Sequence, residues 1–353
     1  MKLLPLINDF RKIAIIQTAF VGDIALALPL AEIIKRKNPR IEITFISTPA
    51  AESLLKIASA IDKYYIFDKK TTHKSIIKTK QFATQLREEK IDCVISAHRS
   101  ARTALLTHWI EPCYSIGFDT ASLKFLYKNR QKYIFHSHEI MRNLNLLKAF
   151  NEFSDERFTP LPLPSLHFAD EDVKYVLRLL ENNSIKQDQK IILIAPGSVW
   201  NTKKWLKEYF IWIIKLLFSK NITCILIGSG DDKPLCDEIA CPSGSISFAG
   251  QTTISQTVIL MQKAAMLLTN DSGPVHFAWL AGCPTVAIFG PTSPMFGFAP
   301  TGEYSIVIEN TSLNCRPCEI HGSKQCPLKT HECMKSITPD MVYEKIIEQL
   351  SNL

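Results

Sequence analysis

Glycine is scarce in this sequence: 353 residues carry 13 of them, where average usage of ~7% would give about 25. A collagen-like repeat cannot be built from so few, and the places where glycines stand together gain weight. Long apolar runs are missing as well. The richest, 210–218, contains Lys215 and falls far short of the ~20 residues that a membrane span requires. Asn8, Asp9 and Arg11 interrupt the opening stretch before the apolar core of a secretory leader could form, so the expectation is a cytoplasmic protein. A strong excess of one charge is also lacking. Lys and Arg exceed Asp and Glu by 41 − 34 = 7, which suits anionic small molecules or an anionic membrane surface but not a nucleic-acid track.

What is present is material for a large core. The hydrophobic fraction is 46% and the charged fraction 21%, which excludes disorder and coiled coil, and the length suggests about two domains. Apolar runs at 12–18, 41–47 and 91–97 read as buried strands, and 24–37 and 75–89 as the helices between them. Pro29 marks a kink or the effective start of the first helix. Segment 159–165, TPLPLPS, alternates three prolines and reads as an extended connection. The alternation then restarts, with strands at 191–195, 223–228, 266–270 and 285–289. Helices are expected at 207–219, 232–240, 255–264, 276–281 and 338–350. The predicted fold class is α/β: two doubly wound Rossmann-like domains with parallel sheets facing across a cleft. The expected boundaries are 1–160, 161–335 and a terminal helical segment, 336–353, packing back toward the first domain.

In such sheets ligands sit beyond the carboxyl ends of the strands, so those segments hold the candidate chemistry. The first strand runs into Val21-Gly22-Asp23. No G-x-G-x-x-G follows it, so a dinucleotide fingerprint is absent where a dehydrogenase would need one. Asp23 reads either as a helix cap or as a carboxylate placed to take a proton, and from this stretch alone the cap suffices. The third strand ends in His98-Arg99-Ser100-Ala101-Arg102, where His98, Arg99 and Arg102 would clamp a carboxylate or phosphate; solvated surface arginines are the alternative. The second half opens with Pro196-Gly197-Ser198 and then Lys203-Lys204-Trp205. That is a diphosphate site in outline, though not a Walker loop. Gly228-Ser229-Gly230 leads into Asp231 and Asp232, which read as ribose-binding acids or as a turn and cap. The strongest local signal is Asn270-Asp271-Ser272-Gly273-Pro274-Val275-His276, where a strand gives way to a helix and makes an anion site. Gly290-Pro291-Thr292-Ser293-Pro294 ends the adjacent strand.

Ten cysteines include one cluster, Cys315, Cys318, Cys326 and Cys333. The first pair has metal spacing and the second does not. A structural zinc site and reduced thiols on a loop both fit, and no catalytic metal is expected.

Taken together, VGD at the first helix, PGS followed by KKW, NDSGPVH and GCPTVAIFGPTSP resemble the ADP-heptose:lipopolysaccharide heptosyltransferases of glycosyltransferase family 9, which have a GT-B fold. The C-x-x-C…C-P…C-M tail is similar to that of members assigned as heptosyltransferase II, and the likeness covers residues 12–350. It implies an inverting, metal-independent transfer of L-glycero-D-manno-heptose from ADP-heptose to the Kdo/heptose inner core of lipopolysaccharide. No cofactor is required beyond the donor. Asp23 matches the general base. Ser198, Lys203 and the neighbouring Lys204 match the donor diphosphate contacts, and Asp271, Ser272, Gly273, Pro274 and His276 the loop receiving the phosphates and sugar. Thr252 falls near the adenine. Asp231 and Asp232 compete for the ribose, while His98, Arg99 and Arg102 fall where the acidic lipid A–Kdo acceptor binds. Peripheral contact with the cytoplasmic face of the inner membrane is implied, and no nucleic-acid partner. The rival readings are a GT-B transferase acting on another glycan, a nucleotide-dependent oxidoreductase and a non-catalytic sugar-nucleotide-binding module.

Overall fold

The computed structural model describes residues 4–186 and 188–353. Residues 1–3 of the opening stretch, in which no leader was read, lie outside them. The chain divides into two compact units, one ending at His167 and the other beginning at Phe168.

The first unit holds six strands: β1 (Lys12–Ile16), β2 (Glu42–Ser47), β3 (Lys63–Ile66), β4 (Cys93–Ser96), β5 (Tyr114–Phe118) and β6 (Asn129–Gln131). They form one sheet in the order β3-β2-β1-β4-β5-β6, every pair parallel. Ile13 of β1 stands level with Ile43 on one side and Cys93 on the other. Helices cover both faces of such a sheet, so its central strands are continuous apolar runs rather than alternating ones.

The second unit repeats the plan with β7 (Ile191–Ala195), β8 (Thr223–Leu226), β9 (Ile246–Ser247), β10 (Met266–Asn270), β11 (Thr285–Phe289) and β12 (Ile306–Glu309). Their order is β12-β11-β10-β7-β8-β9, again all parallel. Counted from the first strand of each unit, both sheets follow the 3-2-1-4-5-6 order of doubly wound folds.

The stretch expected as one helix over 24–37 is two, Val21–Ala25 and Leu28–Lys37, with Pro29 in the first turn of the second. That is where proline's missing N–H is harmless. The proline-rich segment has no regular structure and belongs to the first unit. Glu32 accepts from the Ser165 amide at 3.0 Å, and the His167 amide donates to the Ile57 carbonyl at 2.7 Å. These bonds carry the break past the expected 160/161. The terminal helix, Pro339–Ser351, lays Val342 and Ile346 into the second unit's core with Phe210, Ile213 and Leu217. Its apolar face is thus occupied within the second unit. No helix among the described residues is long and apolar enough to cross a membrane.

Candidate active site

Each sheet has its topological switch point between its first and fourth strands, where consecutive connections leave toward opposite faces and ligands bind beyond the carboxyl ends. In the first unit these are the ends of β1 and β4, and hydrogen bonds tie them together. Thr18 Oγ1 lies 2.9 Å from His98 Nδ1, which also meets Thr103 Oγ1 at 2.9 Å. Burial, then the charges of Lys69 and Arg99, hold His98 down at about 4. The ring is therefore neutral at neutral pH, and it orders the strand ends instead of adding a third cation to the clamp. The cations are Arg99, exposed with its guanidinium 3.9 Å above the Tyr133 ring, and Arg102, half-buried and donating to the Lys69 carbonyl at 3.4 Å. Lys69 joins them: its Nζ donates to the Thr18 carbonyl. Sequence reading missed Lys69 because it lies 33 residues from Arg102 in the chain, and only the neighbouring strand order brings it to this edge.

Asp23 fills the first of the two roles read from the sequence, the cap. Its Oδ2 accepts from the Phe20 amide at 3.2 Å and so caps the short helix. The residue as a whole is half-buried, yet enclosure of the carboxyl is the leading cause of a pKa pushed up to about 7. The negative charge of Glu139 adds to it; the amides of Phe20 and Asp23 and the charge of Arg99 oppose it. No lysine or arginine among the described residues forms a salt bridge with it. Glu139 is itself buried, held at 2.8 Å by Arg142 Nη1 and at 3.3 Å by the Tyr133 hydroxyl. Nothing in the local sequence around residue 139 signals this neighbour. A carboxylate that titrates near neutrality at a strand end is suited to general-base work.

In the second unit, the ends of β7 and β10 are locked by Asn270. Its Nδ2 donates to the Pro196 carbonyl at 2.8 Å and its Oδ1 accepts from the Trp205 amide at 3.0 Å. Lys203 Nζ and Asp271 Oδ2 form an ion pair at 2.7 Å, with side chains only 11% and 9% exposed. Thr292 Oγ1 donates to the same oxygen at 2.7 Å. The turn after β11, read from sequence as lying beside the Asp271 loop, thus completes it. Ser198 Oγ accepts from the Trp200 amide at 3.3 Å, and Lys204 is half-buried beside the pair. Ser272 and Gly273 lead into the helix Pro274–Ala281, with Gly273 as its cap and Pro274 in its first turn. The buried His276 ring lies 6.3 Å from that of Phe298.

Of the two competing acids, Asp232 has a structural task. It accepts from the Ser229 amide at 2.9 Å and hydroxyl at 2.7 Å. Its carboxylate also fills the space over Gly197, where a Cβ would stand 2.1 Å from Oδ1. Asp231 is exposed. Thr252, after β9, meets Thr257 Oγ1 at 2.9 Å. A cavity of ≈ 190 Å³ lined by Ile185, Phe218, Thr223, Gly244 and Ile246 opens at the amino-terminal edge of this sheet, opposite the charged strand ends.

The cysteine segment lies against this site, a placement that the sequence did not reveal. Thr202 Oγ1 and the Ser323 amide meet at 2.9 Å, and His331 Nε2 lies 2.9 Å from the Thr202 carbonyl. Gly322, at φ +84°, leaves room for the Lys203 stem, whose Cγ would be 2.8 Å from an added Cβ. Arg316 fastens the segment to the end of β11 through the carbonyls of Gly290 at 2.7 Å and Thr292 at 2.8 Å. Among the described residues all ten cysteines are free thiols, and no group of three or more His, Cys, Asp or Glu could hold a metal ion. Burial, reinforced by Cys318, Cys326 and Cys315, pushes Cys333 up to about 11.

A family model described as glycosyltransferase family 9 (heptosyltransferase) matches residues 79–330. Lipooligosaccharide heptosyltransferase 2 of Campylobacter jejuni subsp. jejuni serotype O:6 is 27% identical over 97% of this chain and 99% of its own length. Among solved structures, a glycosyl transferase family 9 protein from Veillonella parvula DSM 2008 superposes with a TM-score of 0.87 at 19% identity, covering 97% of this chain and 98% of that one. The ADP-heptose lps heptosyltransferase II of E. coli gives 0.79 at 22%, covering 97% and 99%. The two doubly wound sheets are those of a GT-B fold, and this chain belongs to glycosyltransferase family 9, the heptosyltransferases.

Proposed function

We propose that this protein transfers a heptose from ADP-heptose to the Kdo-containing inner core of a lipopolysaccharide acceptor at the cytoplasmic face of the inner membrane, inverting the anomeric centre in a single displacement. The observation that carries this reading is Asp23: a carboxylate at the first switch point, raised to about 7 and within reach of the Arg99 charge, with Arg102 following the adjoining strand β4. The acceptor hydroxyl attacks the anomeric carbon while its proton passes to Asp23. The new carbon–oxygen bond forms as the bond to the diphosphate breaks, and ADP leaves with the electron pair. A base whose pKa lies near the working pH combines the right protonation state with a useful driving force. Arg99 and Arg102 suit the carboxylates and phosphates of the acceptor.

Donor binding is assigned to the second unit. There the start of the helix Pro274–Ala281 and the Lys204 ammonium oppose the charge that grows on the leaving diphosphate, and the reading calls for no divalent cation. Lys203 acts partly through Asp271: by neutralising that buried carboxylate it removes a charge that would repel the phosphates. Asp231, exposed in the loop after β8, suits the ribose better than Asp232, which is engaged with Ser229 and Gly197.

Incubation with ADP-heptose and a Kdo-containing acceptor tests the proposal. The expected result is ADP release that depends on the acceptor, with one heptose added to it, and unaffected by a chelator. ADP release without acceptor, or transfer only from another sugar nucleotide, would overturn it.

A further inference from the structure

The loop and helix that follow β3 carry a charge pattern that the transfer chemistry does not use. From Lys69 through Lys80 the chain carries five lysines, the two ends included, and no acid intervenes between Asp68 and Glu88. Lys70, Lys74, Lys78 and Lys80 are exposed. Beside them, at the start of the helix Ile76–Arg87, Ile76 and Ile77 are 62% and 71% exposed. Two adjacent β-branched residues on the first turn of a helix add little to its propensity, and here they gain no burial. The helix packs inward through Thr79, Phe82, Ala83 and Leu86, which leaves this turn facing out.

The segment is also built to hold its shape. Asp68 Oδ1 accepts from the amides of Lys70 at 2.8 Å and Thr71 at 3.2 Å, and the His73 ring packs on both Phe67 at 5.2 Å and Phe82 at 4.5 Å. Ser75 caps the helix through the Lys78 amide. At its other end Lys69 reaches the Thr18 carbonyl and receives Arg102, so the segment is joined to the strand ends that carry Asp23. Phe20, three residues before Asp23, is 55% exposed on the same edge of the sheet.

We propose that Lys70, Lys74, Lys78 and Lys80, with Ile76 and Ile77 between them, form a docking surface for an anionic phospholipid bilayer. A basic, apolar-tipped helix start meets such a surface in two ways: its lysines lie in the negative surface potential while its apolar side chains enter the boundary between headgroups and acyl chains. Single exposed apolar residues need no explanation, but a fixed pair set among exposed lysines that form no salt bridge among the described residues fits this occupant by charge as well as by polarity. The surface adjoins the strand ends to which the acceptor is assigned, so its use in transfer rests on the lipid-linked acceptor proposed above.

The test separates the two ideas by measuring binding without any acceptor. The full-length protein is mixed with vesicles of equimolar phosphatidylglycerol and phosphatidylcholine, and with pure phosphatidylcholine vesicles, and sedimented. Binding to the anionic vesicles alone, weakened by salt, is expected. Lys74→Gln/Lys78→Gln should lower it about thirtyfold, at about fivefold for each lysine, and Ile76→Ser/Ile77→Ser at least about tenfold. Both variants should keep wild-type transfer to a water-soluble, de-acylated acceptor and lose it on a vesicle-embedded one. Equal binding to both vesicle types, or wild-type binding by the lysine variant, overturns the proposal. So does a dimer in solution that the isoleucine variant dissociates while its vesicle binding stays intact.

Discussion

The two units share a strand order and place an aspartate just beyond a strand at the switch point, yet they treat it in opposite ways. Asp271 is neutralised on the spot by a buried lysine at 2.7 Å and a threonine hydroxyl at the same distance. Among the described residues Asp23 has no such partner. A second carboxylate, Glu139, stands near enough to hinder its ionisation. One acid is fixed as half of an ion pair. The other is left poised to exchange a proton near neutrality. The lesson is that the scaffold supplies both location and burial, and the neighbouring charge then separates the two acids: a lysine holds Asp271 in an ion pair, while a second carboxylate adds to the rise that burial gives Asp23.

The contrast breaks most sharply at Asp23→Asn. Asparagine can still accept from the Phe20 amide, so the cap persists, but it takes no proton. Turnover should fall by roughly 10²–10⁴-fold with donor affinity nearly unchanged. Stability carries a second signature. Between about pH 4 and pH 7 the native protein keeps a proton on Asp23 that the unfolded chain has released. Stability therefore falls as pH rises through that window. Thermal melts of Asp23→Asn should lose that fall and lie above wild type at pH 8. A variant that melts lower and turns over normally would reduce Asp23 to a cap.

Lys203→Met probes the other member of the comparison. It leaves Asp271 charged, buried and missing its counterion, a change that typically costs about 3–5 kcal/mol. The double variant Lys203→Met/Asp271→Asn removes the orphaned charge and should recover much of that loss. Chemical denaturation of the wild type, the single and the double variant measures both. If the single variant is as stable as wild type, Asp271 is not held as an ion pair and the contrast with Asp23 fails.

The same contrast explains what was legible in the sequence. β1, β7, β10 and β11 are buried almost throughout, so they stand out as predominantly apolar runs without alternation, and the motifs at their ends stand out with them. The edge strands β6 and β9 carry no such mark. β6 is Asn-Arg-Gln and β9 only two residues long, and their pairing comes from the sheet rather than from their own pattern. In the second unit, the local motif around Asp271 and the Lys203-Lys204 pair both lay in view, but their 2.7 Å meeting depends on β7 and β10 being neighbours. The influences on Asp23 were the least visible. Glu139 lies 116 residues further along the chain, in a segment with no motif. The cysteine segment was recognisable by spacing, while its position against Lys203 rests on Gly322 and the Thr202–Ser323 bonds.

The smallest expected effect sharpens the comparison without abolishing activity. Glu139→Gln removes a negative charge that raises the Asp23 pKa, while the amide oxygen can still accept from Arg142. Arg142 also keeps the Tyr133 hydroxyl at 2.9 Å and the Ile134 carbonyl at 3.2 Å. Both the lost negative charge and the less compensated guanidinium act in the same direction, lowering the pKa of Asp23 below about 7. Because Glu139 ranks behind burial among the causes, the shift should be less than about one unit. The base must be deprotonated to work, so the acidic limb of the kcat/KM profile should move to lower pH by that amount, with the plateau near its wild-type height. A purely structural Glu139 would depress the rate equally at every pH and leave the limb in place. Comparing the two profiles from pH 5 to pH 9 therefore measures how far a second buried carboxylate tunes the first.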